Sequence, residues 1–231
     1  MKMSLSLDGL QDYVKQQCRH FFPDDGKCLD SAKNALALDE ALARTEECFR
    51  HITLRNYADE DGALFSHLHS DQYSMFLYFY ANSLWKTAEN EDFARKLTIL
   101  NRAISGTFVS YKCPLPPHFL FGHAVGTVIG NASYGDCAVF FQNVTVNTGD
   151  DQAGGGSLLP KIGNGLFMAA GSSIIGKDPI GTGCSIGANV CLYNTPLPDN
   201  SVVTLQDGKP TIRERKSKSC FAQSYFDIEI C

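Results

Sequence analysis

From Val128 onward an apolar residue recurs at every sixth position: Val128, Tyr134, Phe140 and Val146, then Ile162, Met168, Ile174, Ile180, Ile186 and Leu192. An α-helix repeats its apolar face every 3.6 residues and a half-buried strand every 2, so neither element accounts for this spacing. Small residues follow several of these positions, at Gly163, Ala169, Gly181 and Gly187. A triangular coil with three flat faces of about six residues, each sending one side chain to the axis, has this period. The pattern predicts a left-handed parallel β-helix. Val146 and Ile162 are 16 residues apart where one hexad takes six, so ten residues, GDDQAGGGSL at 149–158, are predicted to leave the coil as an extruded loop.

The first half is punctuated differently. It carries Gly9, Gly26 and Gly62 before Gly106 and reads in helical periods. Leu7, Leu10, Tyr13, Val14 and Cys18 predict a first helix ending before Pro23. A second is predicted over residues 30–53, with Asp30 as its N-cap and Leu36, Leu38, Leu42, Cys48, Phe49 and Ile52 on its apolar face. A third spans 70–85 and a fourth 91–104, and the run Met75 to Tyr80 is read as core or subunit contact. The expected class is α+β: a helical, oligomerising N-terminal domain over 1–106, a left-handed β-helix over 107–205 carrying the loop 149–158, and a C-terminal tail over 206–231.

Charge and cysteine usage narrow the function. There are 20 Lys plus Arg against 25 Asp plus Glu, and the densest positive run, 213–218, is broken by Glu214, so nucleic-acid binding is not expected. No stretch approaches the roughly 20 apolar residues of a membrane span, and the start MKMSLSLDGLQDY reaches an aspartate before an apolar block forms. A soluble, unexported, cytoplasmic protein is expected. The nine cysteines are odd in number, scattered and without a C-x-x-C pair, and no histidine follows Cys184 and Cys191, so neither disulfides nor a metal are expected.

The segments GHAVGTVIGNASYGDCAVFFQNVTVNTG, LLPKIGNGLFMAAGSSIIG and IGTGCSIGANVCL resemble the catalytic half of serine acetyltransferase and its hexapeptide-repeat relatives over about 119–203. The most specific parts are His-Ala-x-Gly-x-Val-x-Gly at 123–130, Gln-x-Val-Thr-Val at 142–146 and Pro-Lys-Ile at 160–162. The resemblance implies an acetyl-CoA-dependent O-acetyltransferase without a metal, in which His123 is the general base; an imidazole titrating near neutrality suits that role. It implies a pantetheine path along Ala170, Gly171 and Ala188, with Lys209 and Arg213 near the coenzyme's phosphates. It also implies homotrimers, doubled to a dimer of trimers through the helical half. Flat apolar faces left uncovered, such as the one near Phe140 and Phe141, point the same way.

Two departures from the family pattern stand out. Gly122 replaces the aspartate that directly precedes the histidine, and no Asp or Glu occurs between Asp92 and Asp136. A backbone carbonyl, Tyr111, or Asp150 or Asp151 of the loop is therefore expected to orient His123. Leu159 replaces the histidine that precedes Pro-Lys-Ile and helps to hold serine. An apolar side chain cannot bond a carboxylate or an amine, so the expected acceptor is a sugar or sugar nucleotide touched by Leu159, Tyr111 and Phe119. True serine acetylation for cysteine biosynthesis is the alternative, and a non-catalytic scaffold a third reading. A three-histidine zinc site of the β-helical carbonic anhydrase type is not met, since the repeat holds only His118 and His123. His118 is expected at the rim, with a substrate contact or the base role as alternatives, and His67 and His69 in a solvated loop.

Overall fold

A computed structural model describes residues 1–147, 149–150 and 157–230. The chain divides into two compact units, Met1–Arg50 with Leu54–Lys112, and His51–Thr53 with Cys113–Cys231.

The first unit is built on helices α1 (Leu7–Phe21), α2 (Lys33–Arg50), α3 (Ser70–Lys86) and α4 (Glu91–Ser105). Ser6 starts α1, its Oγ accepting from the Gly9 N–H, and Leu10, Val14 and Cys18 bury one stripe at four-residue spacing. α3 packs against both α2 and α4 and is buried from Asp71 to Leu84, which makes the aromatic run a core. α4 stops at Gly106, whose φ of 71° is a left-handed C-cap.

Asp30 does not cap α2. It closes a 3-10 turn, Lys27–Asp30, and its carboxylate turns to Lys15 and Arg19 of α1, so α2 begins at Lys33. In consequence Leu36 is 63 % exposed, and Ala37, Leu38, Ala41, Thr45, Cys48 and Phe49 form the buried face. A three-stranded sheet was not foreseen: Gly62–Phe65 lies between Lys2–Met3, parallel, and Ala58–Asp59, antiparallel. These strands are too short for periodicity, though Asp61-Gly62 is a turn signal.

In the second unit the strands form three parallel ladders. The first stacks Phe119–Gly122, Ala138–Phe141, Phe167–Met168, Ser185–Ile186 and Ser201–Gln206. The second stacks Val128–Ile129, Thr145–Asn147, Ser173–Ile175 and Cys191–Tyr193. The third runs from Ser133–Tyr134 to Lys161–Ile162 and continues as single bridges at Ile180 and Leu197. The chain visits the ladders in one unchanging order, which makes a three-sided parallel coil. Phe140, Val146, Ile162, Met168, Ile174, Ile180, Ile186 and Leu192 all reach its axis and are at most 5 % exposed. Each such burial stabilises by about 1.5–3 kcal/mol before entropy is counted.

The hexad reading slips in the first coil. Ile129 points inward and Val128 is 40 % exposed, while Tyr134 is half-buried with its hydroxyl on the Gly130 carbonyl at 2.6 Å. The cause is a corner. Between first and second ladders the chain spends residues 123–127 where the next coil spends only 142–144, so two additional residues displace the register. Corners elsewhere are turned by asparagines in the left-handed region, Asn143, Asn189, Asn194 and Asn200.

The ends of the insertion pair antiparallel, Gly149 with Leu158 and Asp150 with Ser157; Asp151 and the centre of the segment lie outside the described residues. The coil resumes at Lys161. At the far end Ser201–Gln206 turns through Asp207-Gly208 into the antiparallel strand Lys209–Glu214. A 3-10 turn, Phe221–Tyr225, then lays Tyr225 against Phe141 and Phe167 with ring centroids 6.1 and 6.0 Å apart, and Phe221 against Phe167 at 5.6 Å. The face expected to be open is thus closed by the chain itself: Phe140 points to the axis and Phe141 lies beneath Tyr225. No helix among the described residues is long and apolar enough to cross a membrane.

Candidate active site

His123 occupies the widened corner, exposed, with φ of 54°. A non-glycine residue held in this region costs of the order of 1 kcal/mol, and the surrounding bonds impose it. Thr127, fully buried, donates its Oγ1 to the Phe141 carbonyl at 2.7 Å and accepts from the Val144 N–H at 3.2 Å, pinning the corner to the next coil. The Asn143 N–H adds a bond to the Val125 carbonyl at 2.9 Å.

The same edge continues coil by coil. The Gly171 N–H donates to the Gln142 carbonyl and the Asn189 N–H to the Ala170 carbonyl, each at 2.9 Å, so the corners bearing His123, Ala170 with Gly171, and Ala188 form one column. Gly171 has φ of 71°, and the Asn189 side chain occupies the space a Cβ would need. The structure therefore brings together four of the residues singled out by sequence.

Gly122 is closely packed. A Cβ on Gly122 would lie 3.2 Å from the Phe141 ring, which Phe167 and Tyr225 hold in place. Tyr111 belongs to the helical unit, where its hydroxyl donates to Glu91 at 2.7 Å. Hydrogen bonds from Tyr111, Lys112 and Arg95 pull the Glu91 carboxyl down to about 2. Asp150 lies in the strand at the base of the insertion, and Leu159 is 45 % exposed just before the coil resumes. Phe119 is wholly buried within the coil and offers no surface to an acceptor. Lys209 and Arg213 sit on one exposed face of the terminal strand, Lys209 opposite Gln206 and Arg213 opposite Val202. His69 caps α3, and His67 Nδ1 lies 2.8 Å from Ser4 Oγ.

His118 has the carboxylate partner sought for His123. Its Nδ1 lies 2.7 Å from Asp136 Oδ2, its N–H donates to Asp136 Oδ1 at 3.0 Å, and its side chain is 12 % exposed. The two residues are 18 apart, one full coil, and that spacing is the signal that would have paired them. His51, whose Nδ1 lies 2.7 Å from Asp227, meets the His118 ring edge-on at 5.1 Å; no sequence signal links residues 176 apart. Burial pushes the Asp136 carboxyl up, but hydrogen bonds from the His118 side chain and backbone outweigh it and hold the carboxyl below its ordinary value. A depressed carboxyl contributes stability present above its unfolded pKa of about 3.9 and lost as pH falls through the folded value. Asp136→Asn is expected to lessen the loss of thermal stability on acidification below about pH 4; an unchanged pH profile by circular dichroism would refute this.

A three-sided parallel coil with an exposed histidine and small residues on one edge defines the class, and the relatives agree with it. No protein-family profile matches the chain. It is 33 % identical over 106 residues to the serine acetyltransferase of Staphylococcus epidermidis, covering 45 % of this chain and 48 % of that protein. Against the serine acetyltransferase of Mycobacterium tuberculosis it is 30 % identical over 111 residues, covering 48 % and 47 %. The chain thus spans about half the length of the curated relatives it matches. Among solved structures, serine acetyltransferase from Vibrio cholerae superposes with a TM-score of 0.64 at 19 % identity, covering 94 % of this chain and 83 % of that one. A serine acetyltransferase in complex with cysteine gives 0.65 at 19 %, covering 96 % and 84 %, and the Brucella abortus enzyme in complex with coenzyme A gives 0.55 at 19 %, covering 90 % and 83 %. The chain is therefore serine acetyltransferase-like, in sequence over about half of its length and in fold over nearly all of it.

Proposed function

We propose that the coil is a left-handed β-helix that moves an acetyl group from acetyl-CoA to a hydroxyl of a small acceptor, with L-serine the acceptor to test first. The observation that carries this reading is the single edge on which His123 stands in line with Ala170, Gly171 and Ala188, in a chain similar over about half of its length to serine acetyltransferases. In the reaction His123 takes the proton from the acceptor hydroxyl, the oxygen attacks the acetyl carbonyl, and the carbon–sulfur bond breaks. The proton then passes from the imidazolium to the departing sulfur, leaving an acetyl ester and the free thiol of coenzyme A. Alanine and glycine along the edge leave room for the pantetheine arm.

The sugar acceptor expected from Leu159 finds no support among the relatives compared above, each a serine acetyltransferase by name, and they favour the serine alternative. Coenzyme release measured with L-serine and a panel of sugars and sugar nucleotides decides between them. Turnover of L-serine with a Michaelis constant of roughly 1 μM to 1 mM is expected. Turnover of sugars alone would restore the first expectation, and no release with any acceptor would remove the transferase reading. The working assembly is proposed as a homotrimer, doubled through the helical unit. With the Phe141 face covered by the tail, the outer face of the second ladder, where Val128 and Tyr193 are exposed, offers an apolar side among the described residues. A monomer in light scattering would overturn it.

A further inference from the structure

At the end of the first ladder remote from His123, where the chain enters Phe119–Gly122 and then Ala138–Phe141, one donor atom each of His118, Asp136 and Cys137 lies within 4.8 Å of the other two. His118 and Asp136 are 18 residues apart and Cys137 follows, a spacing that carries no metal signature in a sequence and becomes a cluster only when one coil stacks on the next. Cys137 is buried and holds φ of 58°. The same corner is turned in the next three coils by Gly165, Gly183 and Asn200, with φ of 69°, 68° and 61°, each joined by its N–H to the coil before. Glycine and asparagine tolerate that conformation and cysteine resists it, so a strained thiol stands where a glycine would turn the chain. A second thiol arrives from the tail. Cys220, also buried, puts its Sγ 3.2 Å from the place of a Cβ on Gly165, the residue stacked next to Cys137.

We propose that His118, Asp136, Cys137 and Cys220 bind one zinc ion, in a structural site that ties the tail to the first coil and takes no part in acetyl transfer. The donors select the ion: imidazole nitrogen, carboxylate oxygen and thiolate sulfur suit a borderline-soft tetrahedral cation and not the all-oxygen shells of calcium and magnesium. Size agrees. With bonds of about 2.0–2.3 Å, donors around a tetrahedral zinc stand about 3.4–3.8 Å apart. The 2.7 Å contact between His118 Nδ1 and Asp136 Oδ2, bridged by one proton, therefore opens by about 0.7 Å when the ion takes that proton's place. Burial, with Asp136, Cys220 and Asp227 close by, pushes the Cys137 thiol up to about 12, which makes it a poor nucleophile and argues against covalent chemistry at this corner. Four protein donors leave no open coordination position, as structural sites do, and the strand Phe119–Gly122 separates them from His123.

Titration of the full chain with zinc and with cobalt, after a chelator has been applied and dialysed away, tests this. One ion per chain is expected, with a higher melting temperature in zinc and, in cobalt, the thiolate-to-metal charge-transfer absorption of the near ultraviolet. Cys137→Ser and Cys220→Ser are each expected to weaken zinc by roughly 100-fold or more and to diminish that absorption. His118→Gln, which leaves both thiols in place, should weaken zinc as much, and keeps the test decisive if a substitution at the strained corner fails to fold. Cys191→Ser, at an exposed thiol on the second ladder, should change neither readout. No stoichiometric binding to the parent, cobalt binding without thiolate absorption, or parental zinc affinity in Cys137→Ser or His118→Gln overturns the site. Parental affinity in Cys220→Ser overturns the part given to the tail. The transferase reading is judged separately, by coenzyme release from the chelator-treated protein, which should be undiminished; its loss there would overturn the structural role of the ion.

Discussion

His123→Ala is expected to lower acetyl transfer by roughly 10²- to 10⁴-fold while coenzyme A binds with nearly parental affinity. The size follows from the role: without a base the acceptor hydroxyl must lose its proton to water, and the thiolate must leave without a positioned acid. Position supports it too, since the imidazole is exposed at a corner whose two additional residues carry it outward. The left-handed φ of 54° introduces a second effect of Ala, which is disfavoured there. His123→Asn separates the two, because asparagine tolerates that conformation, as at Asn143 on the same edge, but supplies no base. Both variants should be inactive and only the alanine form less stable. Activity near the parental rate in His123→Asn would remove the base assignment.

Gly163→Val is expected to destabilise the protein by about 3 kcal/mol, lowering the melting temperature by roughly 6–12 °C in a chain of this length. Gly163 sits where the third side of the coil stacks closely: a Cβ there would lie 2.7 Å from the Thr182 nitrogen and 2.8 Å from the Gly181 carbonyl carbon. Both neighbours are backbone, so relief requires spreading two coils and stretching the ladder bond from the Gly163 N–H to the Ile180 carbonyl. Coils stacked above and below resist that movement. An unchanged melting curve would mean that the coils are not stacked at this spacing.

The residues small enough for such stacking were visible in the sequence beside the hexad positions, and so was much of the coil. From Phe140 to Leu192 the six-residue period named the axial side chains correctly, because one coil repeats the same local geometry and a local pattern suffices. Helices α1, α3 and α4 were legible for the same reason: their caps, stripes and stops lie within a few residues of one another. His123 was legible through its motif, and its place in one column with Ala170, Gly171 and Ala188 is what stacking adds.

What the sequence could not reveal depends on atoms distant along the chain. Asp30 fails as a cap because Lys15 and Arg19 attract its carboxylate. Val128 yields its place to Ile129 because the His123 corner is wider than the corner stacked on it, a difference defined only once the two coils pair. The His118 and Asp136 pair needs the stack, and the His51 and Asp227 pair needs the tail to return. The open face near Phe141 vanished for that same reason: an apolar residue announces that something must cover it, but which surface does so is settled by the competition among all segments that can reach it. Here the winner is Tyr225, 84 residues further along the chain. Local periodicity determined the architecture of this protein, and long-range burial and charge pairing decided which side chains stand exposed at its edge.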